Sequence, residues 1–325
     1  MCKSTGKSLL KQHCAHLAID NRSVTKHIYI YSPSGAVRDK AAFRRGVQRL
    51  RGFGHTVEID TDALKSSTRF AGDDQTRISA IERAASSGAD VALISRGGYG
   101  LTRILDAIPY KKVAKAIANG TQFVGISDFT AFQMAVHAKT QSTTWAGPAL
   151  CEGFGALPEP DDIMEDCFND MLVGQGEGTG WRQSAGATEQ LKLSNATLWG
   201  GNLCVLVSLL GTPYWPGISK GILFLEDVAE HPYRVERMLT QLLHAGVLAQ
   251  QRAIVLGQFT EYKLTPHDKG FNMNSVVAWL RSKVKVPVLT NLPYGHVQTK
   301  VLLPFGAKCD LLCEGRDALV AWGHI

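Results

Sequence analysis

Four short apolar segments, each followed by residues of helical spacing, run through the first half of the chain and restrict what it can fold into. HIYIYSPSG at 27–35 alternates and ends in a Ser-Pro-Ser-Gly turn, HTVEID covers 55–60, residues 90–95 have an unbroken apolar centre, and QFVGIS covers 122–127. Between and after them, residues 39–52 (Ala42, Val47, Leu50), 76–86 and about 129–138 repeat apolar side chains at helical spacing. Strands alternating with helices at this interval predict a parallel sheet with helices on both faces. Ligands on such sheets bind beyond the carboxyl ends of the strands. Two segments stand there by this reading: Arg96-Gly97-Gly98-Tyr99-Gly100, and Ser127.

The second half has another character. Residues 157–190 are rich in Gly, Pro and acidic residues (PEPDD, GQGEGTG), with a short helix predicted at 163–172. Beyond them strand-like segments dominate (LKLSNATLWGGNL, KGILFLEDV, RAIVLGQF, VPVLTNLPYGH, TKVLLPFG, CDLLCEG), with a helix at 232–245. The expected organisation is a disordered tail at 1–26, an α/β domain at 27–156, a linker at 157–190 and a smaller β-rich, barrel-like domain at 191–325.

Several function classes are disfavoured. The net charge of +6 comes from scattered Lys and Arg (Arg44, Arg45, Lys111, Lys112, Arg234, Arg237) rather than the stripe a nucleic acid needs. No apolar run approaches the roughly 18 to 20 residues of a membrane span, and the first residues lack a signal-peptide core, so a cytoplasmic location is expected. The seven cysteines include no CxxC, and Cys309 and Cys313 have no companion at metal-ligand spacing. They read as reduced thiols, with Cys204 in an apolar run as a core residue. The turn Gly97-Gly98-Tyr99-Gly100 is not G-x-G-x-x-G, and no P-loop lysine follows it, so neither a dinucleotide cofactor nor a metal is expected.

Ser127 is the first chemical candidate. A serine on a sharp strand-to-helix turn is lifted above the sheet, and the amides opening the helix can bind a developing oxyanion. Gly125 suits the close packing of such a turn. The same position also fits a helix N-cap, and Phe129 stands where a G-x-S-x-G elbow has glycine. A serine needs a base and a group to orient that base. His231 and His296 both qualify by position, with His137 on a helix. Glu226 closes the apolar strand Gly221–Leu225, where a buried carboxylate would need a partner, although Asp227 or Glu230 could serve equally.

Four motifs in order, Ser95-Arg96-Gly97-Gly98-Tyr99-Gly100, Gly125-Ile126-Ser127-Asp128, Leu225-Glu226-Asp227 and Gly295-His296, resemble the LD-carboxypeptidase family, the muramoyltetrapeptide carboxypeptidases. The resemblance runs from about His27 to Gly315 and takes in Leu198–Leu203 and Gly211–Tyr214. It implies Ser127 as nucleophile, His296 as general base and Glu226 as its orienting carboxylate, which demotes His231. It also implies an oxyanion hole from the amides of Asp128 and Gly98, a site between the two domains, and a homodimer. Arg96, Gly97 and Tyr99 are candidate substrate contacts, and Arg96, Arg103 and Arg234 are candidate clamps for a terminal carboxylate, because guanidinium matches carboxylate geometry. The implied substrate is a murein tetrapeptide or its muramyl or UDP-linked form. A microcin-immunity-like peptidase acting on peptidyl or aminoacyl nucleotides is the second enzymatic expectation, for which Trp181 and Trp199 are the available stacking residues. A non-catalytic ligand-binding module is the third, and would be marked by a missing triad member or by His296 lying beyond about 4 Å of Ser127, outside hydrogen-bond reach.

Overall fold

The computed structural model describes residues 25–184 and 190–324; the tail at 1–26 falls almost wholly outside them. Strands β1 (His27–Tyr31), β2 (Thr56–Ile59), β3 (Val91–Ile94), β4 (Gln122–Gly125) and β5 (Thr144–Ala146) pair in parallel in the order β5-β4-β3-β1-β2. Helices α1 (Lys40–Gly52), α2 (Asp74–Ser86), α3 (Tyr110–Ala118) and α4 (Phe129–Thr140) connect them. The unbroken apolar character of the strands has a simple cause, since both faces of the sheet are covered. Ile28, Ile30, Val91 and Leu93 point into one core with Phe43, Val47 and Leu50 of α1. Tyr29, Tyr31, Ala92 and Ile94 point into the other, with residues of α2, α3 and α4.

After α5 (Asp162–Val173), a second, seven-stranded sheet forms from β6 (Gly178–Arg182), β7 (Gln190–Asn202), β8 (Ile222–Val228), β9 (Ala253–Thr260), β10 (Val288–Leu289), β12 (Lys308–Glu314) and β13 (Asp317–Ala321). Its order is β10-β9-β8-β7-β12-β13-β6: β7 to β10 are parallel, while β12, β13 and β6 join antiparallel. Helices α6 (Leu203–Ser208), α7 (Pro232–His244) and α8 (Met273–Lys283) accompany the parallel half. The molecule is thus an α/β protein with a parallel N-terminal sheet and a β-rich C-terminal domain.

Three details differ from the periodicity. The segment at 157–190 contains α5 and also β6, which closes one edge of the second sheet against β13. β11 (Leu303–Phe305), in a segment grouped by sequence with the second domain, crosses back and pairs antiparallel with β5. It is an edge strand, where Pro304 costs no ladder bond on the open side. Cys204 is exposed rather than buried. In α6 the inward positions are Leu203, Leu206 and Val207, at helical spacing, and Cys204 lies off that face.

Candidate active site

Ser127 sits at φ +67°, a left-handed conformation that a residue with a Cβ adopts at a cost of about 1–2 kcal/mol. It is not the side-chain cap of α4: the N-cap residue is Asp128, in right-handed helical geometry and making no side-chain cap bond. The strained turn is held from below. A Cβ on Gly125 would lie 2.6 Å from the Phe129 ring, so only glycine lets the strand and the helix start approach this closely.

The Gly-rich turn after β3 meets this serine directly. A Cβ on Gly97 would fall 2.5 Å from Ser127 Cβ and 2.9 Å from its Oγ. Gly98 takes φ +116°, a region open to glycine. Asp128 staples the two turns together: its Oδ2 accepts from Ser34 Oγ (2.5 Å) and from the Leu101 amide (2.9 Å). Burial drives this carboxyl above the usual range, against the pull of Ser34, Leu101 and the Arg77 charge. The Asp128 and Gly98 amides donate to no protein acceptor among the described residues. Both are therefore available to an oxyanion.

The other half of the site comes from the second sheet. Glu226 is fully buried on β8, and its Oε2 binds His296 Nδ1 at 2.8 Å. Asn202, directly across from Glu226 in the β7–β8 register, donates Nδ2 to Glu226 Oε1 (3.2 Å) and to Asp227 Oδ1 (2.9 Å). Gly295 (φ +145°) turns the chain so that His296 reaches the carboxylate; a Cβ there would lie 3.3 Å from Glu226 Oε2. Burial is the largest influence on His296 and opposes its charging. The Glu226 hydrogen bond and charge together outweigh it, so the imidazole titrates above its ordinary value. Asp227 is pushed up to about 7 by burial and by the Glu226 charge beside it.

The two halves meet through α4. Thr130 Oγ1, one turn beyond Ser127, accepts from the Asn202 amide at 3.0 Å, and a Cβ on Gly201 would clash with it at 2.5 Å. A continuous path therefore runs from Ser127 through Thr130 and Asn202 to Glu226 and His296. Among the described residues no hydrogen bond joins His296 to Ser127. Such contacts are often open before substrate tightens them. Asn202 and Thr130 were not marked by residue type, since neither is a base nor a nucleophile; only register and packing reveal them.

The remaining candidates separate. Arg96 is mostly buried, with its Nε 3.5 Å from Glu152, and lies beside the serine turn through Gly97. Tyr99 is exposed and packs on Phe70. Arg103 pairs with Asp74, and Arg234 with Glu230. His231 caps α7 and binds Asp268, away from Glu226. His137 is buried against Phe305. Trp199 is fully buried with its indole on Gln251, and Trp181 is buried with its indole on the Thr290 carbonyl. Neither ring presents a face for a nucleobase. Among the described residues no cluster of three His, Cys, Asp or Glu side chains could hold a metal ion, and no helix is long and apolar enough to cross a membrane.

Sequence models of the LD-carboxypeptidase N-terminal and C-terminal domains match residues 28–147 and 195–311. A Synechocystis protein bearing a carboxypeptidase name is 31% identical over 283 residues, covering 87% of this chain and 90% of that one. The chain belongs to the LD-carboxypeptidase family. Within and around that family, the crystal structure of muramoyltetrapeptide carboxypeptidase from Oxalobacter formigenes superposes with a TM-score of 0.82 at 37% identity, over 91% of this chain and 98% of that one. The murein tetrapeptide carboxypeptidase of Pseudomonas aeruginosa is 27% identical over 66% of this chain and 70% of its own. The microcin C7 self-immunity protein of Escherichia coli is 25% identical, over 68% of this chain and 70% of its own. This LD-carboxypeptidase family member is therefore a peptidase by descent, with the Gly125-Ile126-Ser127-Asp128 motif in the first domain and the Glu226 and His296 motifs in the second.

Proposed function

We propose that this protein is a serine-type LD-carboxypeptidase that releases the terminal D-alanine of murein tetrapeptides through an acyl-enzyme on Ser127, in cell-wall recycling. The observation that carries the reading is the buried Glu226 bound to His296 Nδ1 at 2.8 Å, tied through Asn202 and Thr130 to the helix that starts at the strained serine. With Nδ1 held by Glu226, Nε2 is the nitrogen left to act as base. It takes the proton as Ser127 Oγ attacks the carbonyl before the terminal residue. The oxyanion rests on the Asp128 and Gly98 amides. His296 then protonates the amine of the departing D-alanine, and water activated by the same nitrogen hydrolyses the ester. Arg96, Gly97 and Tyr99 border the path of the peptide.

A non-catalytic binding role is disfavoured because Ser127, Glu226 and His296 are all present. A nucleotide-directed role is disfavoured because Trp181 and Trp199 are buried. Cytoplasmic location and a homodimeric state complete the reading, and cell fractionation and mass measurement in solution check them. The decisive experiment is incubation with murein tetrapeptide and detection of tripeptide and D-alanine by mass, beside an aminoacyl sulfamoyl nucleoside as the competing substrate. Cleavage of the nucleoside compound alone would sink the murein reading.

A further inference from the structure

An exopeptidase must recognise the free carboxylate next to the bond it cuts. Arg103 and Arg234 already have carboxylate partners of their own and are about half exposed. Lys300 differs from them. It lies four residues beyond His296 on the loop leading to β11, and only 3% of it is exposed. Burying an ammonium is costly unless an anion or several acceptors meet it. Yet among the described residues no carboxylate pairs with Lys300 and no acceptor receives its protons.

The lysine is nevertheless fixed in place. On one side Thr299 Oγ1 donates to Asp161 Oδ2 (2.5 Å), and on the other the Val301 amide donates to the Pro293 carbonyl (2.8 Å). Its charge is felt by His296, and it in turn feels Glu152, Glu226 and Asp161. The ammonium is therefore within electrostatic reach of both the Glu226–His296 pair and Glu152, and the Glu152 partner Arg96 adjoins the Gly97 turn over Ser127. Lys300 Nζ is also absent from the fully enclosed unpartnered polar atoms, such as Tyr31 Oη and Thr290 Oγ1. Its tip is therefore not completely sealed, although only 3% of the residue is exposed. Burial lowers its proton affinity, with Glu152 the largest opposing influence, so an arriving anion would strengthen the charged form.

We propose that Lys300 binds the terminal carboxylate of the substrate peptide and thereby restricts the enzyme to exopeptidase cleavage. The proposal rests on the peptidase reading above for its biological substrate, but its chemistry is separately testable. The probe pair is N-acetyl-D-alanine and N-acetyl-D-alaninamide, which differ only in the charge of the terminal group, titrated calorimetrically into the Ser127→Ala protein. The acid is expected to bind about 10- to 100-fold more tightly than the amide, the range of a charge-assisted hydrogen bond. Adding Lys300→Met should erase that preference, and Lys300→Arg should restore part of it; a thermal melt verifies that both variants fold. Equal binding of acid and amide, binding of neither, or a preference that survives Lys300→Met overturns the assignment. Failure of the wild-type enzyme to cleave tetrapeptide would instead sink the murein reading, while the acid–amide comparison would still decide the role of Lys300.

Discussion

Helices α1 and α4 both start above the carboxyl edge of the same parallel sheet, and they start in opposite ways. At α1, Asp39 is extended (φ −101°) and its carboxylate accepts from the Ala41 and Ala42 amides, satisfying orphan donors of the first turn. At α4 the chain turns through a left-handed Ser127, and Asp128 spends its carboxylate on Ser34 and Leu101 instead. One helix start is relaxed and self-satisfied. The other leaves its serine raised and an amide unpaired, and depends on a neighbouring turn for support. Strain of this kind persists only where the surroundings over-determine it, and here they do, through Gly97, Gly125 and the Asp128 staple.

That contrast can be broken at several points. The largest effect is expected from Ser127→Ala, which should lower kcat for D-alanine release by about 10⁴-fold or more, with the folded state intact by circular dichroism. Near-normal turnover would remove the strained serine from the mechanism.

Glu226→Gln should cost about 10²- to 10⁴-fold in kcat, and should also move the acid limb of the kcat/KM profile. In the wild type the Glu226 hydrogen bond and charge hold the imidazolium above the ordinary histidine value. The neutral base is therefore lost as pH falls through that raised pKa. Without the carboxylate the two largest raising influences are gone, leaving burial and the Lys300 charge against the Asp227 charge alone, so the limb should shift to lower pH; an unmoved limb would mean that His296 is not the titrating base. The linked stability has the opposite sense. The pairing stabilises the fold fully below the unfolded histidine pKa of about 6.5, and its contribution fades as pH rises through the raised value.

Asp128→Ala tests the staple. It strands the Ser34 hydroxyl and the Leu101 amide, both buried, and should cost about 2–3 kcal/mol in denaturant unfolding together with a fall in kcat. A purely local cap would cost stability alone. The smallest effects should have opposite signs. Asp39→Ala should destabilise by about 1 kcal/mol and leave kcat unchanged. Ser127→Gly should gain about 1 kcal/mol by relieving the left-handed turn, at the cost of all activity. If both substitutions destabilise alike, the two helix starts are not different in kind.

Much of the first domain was legible because parallel strands covered on both faces leave a plain signature. Residues 91–94 and 122–125 are strands within the segments read from pattern, and α1, α2 and α4 begin within two residues of expectation. Pattern could not assign sheet membership. Leu303–Phe305 reads as a strand in either domain, and only its pairing with β5 puts it in the first sheet. Cys204 misled because an unbroken apolar run carries no alternation to separate its inward from its outward face, and so looks buried throughout. In the site, residue type and spacing left His231 and His296 equivalent. The structure separates them: His231 binds Asp268 at a helix start, and His296 binds Glu226.

The amino-acid sequence by itself determined the layered α/β architecture, the glycine and serine turns at the strand ends, and the short list of groups able to do acid–base work. These are local properties, set by side-chain periodicity and by the conformations glycine permits. Tertiary structure decided which groups act together. Ser127 turned out to be a strained apex rather than a cap, Asn202 became the bridge between two carboxylates through strand register, and Lys300 became a buried charge beside the histidine. Those properties depend on residues far apart in the chain: Glu226 and His296 are 70 positions apart, and Thr130 and Asn202 are 72 apart. Burial and charge pairing arise only once packing has brought such residues together and excluded water from between them.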